Sequence, residues 1–166
     1  SEDAWIRAIS AHFAQGPRTQ VGIGHDAAVV ELDGRQVVLK TDVVIDWNIT
    51  ALSLSDPRAD LGRPNQMRQL AMVHTAMHDA VNSIIGKYEV YAVKAAAPPG
   101  ASTEAAAASA AYAVLIRLFP TAEGKETLDA GLAASLAAIP DGASKTDGVA
   151  VGEFVGKTIF DLRASD

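Results

Sequence analysis

Apolar residues recur at helical spacing through most of this chain, and only one stretch alternates the way strands do. Residues 3 to about 15 place Trp5, Ile6, Ile9 and Phe13 on one helical face, and Gly16-Pro17 ends the run. The segment DAAVVELDGRQVVLKTDVVI follows at 26–45. Its two β-branched runs flank Asp33-Gly34, which predicts strands over about 27–32 and 35–45 joined by a tight turn. From Trp47 a helical turn gives way to an irregular loop. Pro64 then suits the start of a long helix over about 65–86, closed by Gly86. KYEVYAVKAAAPPGA reads as a connector. Ser102 caps a helix running to Phe119, with Glu104 favourably placed in its first turn. Two more helices are predicted over about 122–138 and 144–163.

The predicted class is therefore α+β and mostly α: an N-terminal helix and β-hairpin packed on a bundle of about four helices. A two-strand hairpin is marginal in water by itself. It must pack on the helices or complete a sheet with a second copy, so a homo-oligomer is expected. In the last helix Gly148, Gly152 and Gly156 recur every four residues. Glycine costs about 1 kcal/mol relative to alanine at each helical position, so three on one face point to close contact with another helix.

Composition narrows the picture. The 166 residues suffice for one ordinary domain, and a hydrophobic share of 49% is that of a globular chain. A net charge of −6, with Arg58, Arg63 and Arg68 interleaved with Asp56 and Asp60, argues against a nucleic-acid partner. The absence of cysteine excludes disulfides, thiolate chemistry and cysteine zinc sites. No apolar run approaches the ~18 residues of a membrane span. The charged start SEDAWIRAIS lacks a signal-peptide core, so the cytoplasm is the default location, although a signal already removed would look the same.

HTAMHDAVN at 74–82 points most directly at chemistry. On a helical wheel Met67, Leu70, Val73, Met77, Val81, Ile84 and Ile85 form a broad apolar face with His74 and His78 near its middle. Arg68, Thr75, Asp79 and Ser83 fall opposite, and Asn82 at the border. Both histidines are thus expected to point inward and Asp79 outward. Two readings stay open. The histidines are neutral core residues hydrogen-bonded to nearby groups, or they ligate one zinc ion, since imidazoles at i and i+4 share a face. Two ligands are too few for zinc. The remaining donors are His25, Asp26 and Asp42, with His12 and Asp46 behind them.

Two stretches resemble known families. GIGHDAAVVELDGRQVVLKTDVVID resembles the N-terminus of thiamine-monophosphate kinase and its relatives in the aminoimidazole-ribonucleotide-synthetase superfamily. That resemblance implies strands paired across a dimer, with Asp26 and Asp42 at positions of magnesium ligands. His25 replaces the first aspartate of the family's pair, which shifts the donor preference from magnesium towards zinc. Residues 47–166, through LAMVHTAMHDAVNSI, STEAAAASAAYAVLIRLFP and LAASLAAIPDGASKTDGVAVG, resemble the N-terminal helical part of bacterial vanadium-dependent haloperoxidases and related acid-phosphatase-superfamily proteins. The lysine, arginines and P-S-G-H motif of that family's oxyanion pocket are missing. The two resemblances meet near TDVVID/WN, which implies a fusion of a 1–46 segment with a 47–166 segment in one folded unit, binding neither ATP nor vanadate.

Two functions of different class are expected. One is a small zinc-dependent hydrolase of activated, phosphate-type esters. His25, His74, His78 and Asp42 would hold the metal, and Asp26 or Asp42 would serve as base to a zinc-bound water. The other is a non-catalytic helical oligomer or interaction module, in which the two helix histidines are ordinary residues of the fold.

Overall fold

The computed structural model describes residues 28–32, 35–39, 42–55 and 62–165. Two compact units divide the chain, Ser1–Asp42 and Val43–Asp166. In the first, β1 (Ala28–Leu32) and β2 (Arg35–Leu39) pair antiparallel, with Val30 opposite Val37 and Leu32 opposite Arg35. The expected helix over 3–15, and with it His12, His25 and Asp26, lies outside the described residues.

The second unit is built from helices alone: α1 (Asp42–Leu54), α2 (Gly62–Ile85), α3 (Thr103–Leu118), α4 (Ala122–Ala137) and α5 (Ala143–Arg163). The α+β expectation is therefore corrected. In this unit, which holds most of the chain, the core cluster runs from Trp47 to Ile159 and every helix contributes to it, so its architecture is all-helical and not α+β. The expected strand over 35–45 fails at its second half, because Asp42–Leu54 is helix. The β-branched run Val43-Val44-Ile45 reads locally as strand. As a helix, however, it puts Val43, Trp47, Ala51 and Leu54 on one face, where Trp47 and Ala51 are fully buried and the other two pack against the core. Burying that face outweighs a strand preference that spans only about 1 kcal/mol per residue.

The alanine-rich α3 is the central helix. Ser102 caps it, its hydroxyl accepting from Ala105 N–H at 3.1 Å. Ten of its residues, Ala105 to Leu115 with only Tyr112 omitted, are buried. Helix α5 packs along it through the glycine stripe. A Cβ placed on Gly152 would meet Ser109 Cβ at 2.8 Å, and one on Gly156 would lie 2.5 Å from the Ala110 carbonyl oxygen. Backbones approach this closely only where no side chain intervenes. Helix α2 lies against both α3 and α5, and α4 against α3.

Helix α1 is held at a few defined points. The Trp47 ring enters beside Gly131 of α4, where a Cβ added to the glycine would lie 3.8 Å from it, and its indole N–H donates to Ser135 Oγ at 3.2 Å. Ser55 Oγ, one residue beyond the helix, donates to Gln69 Oε1 of α2 at 2.9 Å. The side of α1 away from these anchors is also apolar: Ile45, Ile49 and Leu52 are 52%, 59% and 40% exposed.

Candidate functional site

Helix α2 faces the core differently from the wheel built on its large residues. Met72, Val73, Ala76, Met77, Asp79, Ala80 and Asn82 are buried, whereas Met67 and Ile85 are exposed. The buried face is turned by roughly one residue's arc, about 100°, from the expected one. The physical reason is the alanine content. Ala76 and Ala80 admit the closest approach to the alanine-rich α3, so small residues rather than the bulky ones set the contact line.

Two expectations are reversed by this turn. His74 and His78 are exposed, not inward, and Asp79 is fully buried, not outward. The Asp79 carboxylate receives three successive backbone N–H groups of the connector, from Tyr91 at 2.5 Å and Ala92 at 2.9 Å to Val93 at 2.8 Å. The same side of α2 adds Asn82 Oδ1, which accepts from Tyr88 N–H at 3.2 Å, and Ser83 Oγ, which accepts from Ala95 N–H at 2.9 Å. Residues 87–101 hold no helix or strand, so their backbone groups need partners from elsewhere. Asp79, Asn82 and Ser83 supply them. Burial by itself would raise the Asp79 carboxyl. The donations from Ala92, Val93 and Tyr91 and from the His78 ring outweigh it and hold the group below its ordinary value. Asp79 is thus an ionised staple for the connector, not a base open to substrate.

The histidines line a groove of about 360 Å³. Val44 of α1, Met77, Val81 and Ile85 of α2, and Ala107 of α3 form its apolar wall, with Lys87 and Tyr88 at one end. His78 Nδ1 lies 3.2 Å from Asp79 Oδ1. An ionised carboxylate only accepts, so Nδ1 carries the proton and Nε2 is left as an acceptor or ligand atom. His74 Nε2 lies 3.0 Å from Asn48 Oδ1 of α1. With that oxygen as acceptor, Nε2 donates and Nδ1 is the ligand atom.

Of the five residues assigned to the metal or base by sequence, the described structure brings together only His74 and His78. Asp42 is the first residue of α1, and His25 and Asp26 lie outside the described residues. Among the described residues no group of three or more histidine, aspartate or glutamate side chains is arranged to hold a metal ion. None of their helices is long and apolar enough to cross a membrane. Sequence reasoning missed the Asp79, Asn82, Ser83 clamp. Its signal was present: three hydrogen-bonding side chains at i, i+3 and i+4, next to a connector with no ladder of its own.

No protein-family model, no curated protein and no solved structure matches this chain. Site residues are therefore assigned on geometry alone.

Proposed function

We propose that this chain is a non-catalytic, self-associating helical module whose working surface is the outer face of α1. The observation that carries the reading is that α1 is apolar on two opposite faces. Val43, Trp47, Ala51 and Leu54 point to the core, and Ile45, Ile49 and Leu52 form a stripe at i, i+4 and i+7 on the other side. A surface helix of a monomer carries polar residues on its outer face, and a helix that is apolar all round is buried. Val44 joins the stripe to the groove beside it, so the two make one continuous apolar patch. A second copy offers the same patch about a two-fold axis, with α1 packed against α1 as a self-complementary contact. Hydrogen exchange tests this. Amides of α1 gain protection as protein concentration rises through the association range, while those of α3 are unchanged. Concentration-independent exchange in α1 would overturn it.

A second reading keeps the metal. His74 and His78 stand one helical turn apart on one groove, and His78 has a carboxylate behind its Nδ1, the support that metal-binding histidines commonly have. A zinc ion on His74 Nδ1 and His78 Nε2, with at least one further ligand, would supply a bound hydroxide for attack on a phosphate-type ester. Elemental analysis after dialysis without chelator decides it. One zinc per chain, lost together with esterase activity in His78→Ala, supports this reading, and a metal-free protein refutes it.

A further inference from the structure

Helix α2 carries an uncharged line of its own on the side away from the core. Met67, Ala71, His74, His78 and Ile85 are exposed there, and Val81 is half-buried. These residues follow one another in alternating steps of four and three, so they run in a single line along about five turns of the helix. None of them is charged. The outer face of a surface helix ordinarily carries charged and polar side chains, and alternating steps of this kind mark the seam where one helix packs on another.

His74 and His78 occupy the middle of the line. Each ring has one nitrogen already held from behind: His74 Nε2 lies 3.0 Å from Asn48 Oδ1, and His78 Nδ1 lies 3.2 Å from Asp79 Oδ1. Each keeps its other nitrogen for a metal, with the tautomer set by the partner behind it, as in most ligating histidines. The buried Asp79 carboxylate also places a negative charge beside His78, which favours a cation there. Imidazoles at i and i+4 reach one zinc ion together, but a structural zinc takes four ligands. Among the described residues no third histidine, aspartate or glutamate joins the pair.

Symmetry supplies the missing donors. A second copy laid antiparallel on the line, about a two-fold axis at the level of Ala76, sets His74 against the partner's His78 and His78 against the partner's His74. The same operation sets Met67 against the partner's Ile85 and Ala71 against the partner's Val81. Apolar residues then flank the histidines on both sides, and no charge on the line opposes the approach.

We propose that His74 and His78 of two copies together bind one zinc ion, in a closed site of four imidazoles that joins the chains through α2. The inference rests on these histidines being metal donors, and it parts from hydrolysis. Four protein ligands leave zinc no open position for water, which is the mark of a structural rather than a catalytic site. It also goes beyond the α1 contact, which needs no metal: zinc adds a second, metal-dependent contact to the same chain.

Ile49→Lys removes the α1 contact and leaves α2 as it is, so zinc titration of this variant, untagged and stripped with chelator, isolates the site. Calorimetry should give about one zinc per two chains. Light scattering on the same samples should rise from the mass of one chain to that of two, and fall back when chelator is added. Magnesium should do neither, since imidazole donors suit zinc and not that ion. In the same background, His74→Ala and His78→Ala should each abolish the rise in mass while circular dichroism shows the helix content retained. Both side chains are exposed, and should one variant unfold, the other carries the test. No zinc uptake would overturn this inference and the metal reading together. One zinc per chain at an unchanged mass would overturn the bridge alone and leave a site completed within one chain. A rise in mass that survives both histidine substitutions would also overturn the bridge.

Discussion

Replacing Asp79 by alanine removes the carboxylate that holds residues 91–93 of the connector. Three backbone N–H groups lose their partner at once. Their costs differ. Val93 is buried, so its N–H is left without water and costs about 1–3 kcal/mol. Tyr91 and Ala92 are exposed, so water replaces the carboxylate there, and each loses only the net worth of an ordinary solvent-accessible hydrogen bond, about 1 kcal/mol. The sum is roughly 3–5 kcal/mol, a large share of the 5–15 kcal/mol that holds a typical domain. Asp79→Asn keeps the shape and one acceptor oxygen but turns an N–H towards a donor, and should cost about 1–2 kcal/mol. Urea unfolding followed by circular dichroism gives these differences, and limited proteolysis should show early cutting within 87–101. The pH dependence has a definite sign. The carboxyl is held below its ordinary value in the folded state. Its contribution is therefore complete above the unfolded value, about 3.9, and is lost as pH falls through the lower folded value. The stability gap between the native chain and Asp79→Asn should hold from pH 7 to about 5 and close below about 4. A loss under about 0.5 kcal/mol in Asp79→Ala, the range of an ordinary surface change, would refute the staple. So would a gap that persists unchanged at low pH.

Gly152→Ala should destabilise by about 2 kcal/mol. Overpacking costs about 1–3 kcal/mol and is felt in full here, because the new methyl meets Ser109 Cβ at 2.8 Å and Ala110 N at 2.9 Å, while better helix propensity returns about 1 kcal/mol at most. Thermal unfolding reads this, and a stabilised variant would show that α3 and α5 can move apart. Trp47→Ala should cost about 3–5 kcal/mol and release α1, seen as lost helical protection over 42–54, because the indole is 2% exposed and carries the contact with α4. Retention of α1 protection in that variant would mean that the anchor lies elsewhere.

Local signals were legible, and long-range ones were not. The Ser102 cap, the end of α3 near Phe119 and the end of α2 at Gly86 follow from residues within a turn of each boundary, whereas α2 starts at Gly62, three residues before the expected 65, with Pro64 in its first turn. The glycine stripe was legible for the same reason: spacing along one helix identifies its contact face. Helix α1 was not, because three β-branched residues in a row look like strand until Trp47 finds α4 and Ala51 is buried in the core. The face of α2 was misjudged because alanines were given no weight. Ala76 and Ala80 decide where α3 packs, and they turn Asp79 in and His74 and His78 out. The hydrogen bond from the Arg68 guanidinium to the Arg163 carbonyl was invisible for a different reason, since the two residues are 95 apart and only the bundle brings them together.

Light scattering on the intact chain and on Ile49→Lys, from low micromolar to millimolar concentration, tests the self-association of α1 most directly. Ile49 is 59% exposed, so the substitution should leave the stability of a single copy within about 0.5 kcal/mol. The account predicts a mass that rises to twice that of the chain for the native protein, and a mass that stays at one chain for Ile49→Lys, with equal melting points at dilution. A native protein that remains at the mass of one chain throughout, or an Ile49→Lys variant that associates as the native one does, would contradict it and leave the α1 face to a different occupant.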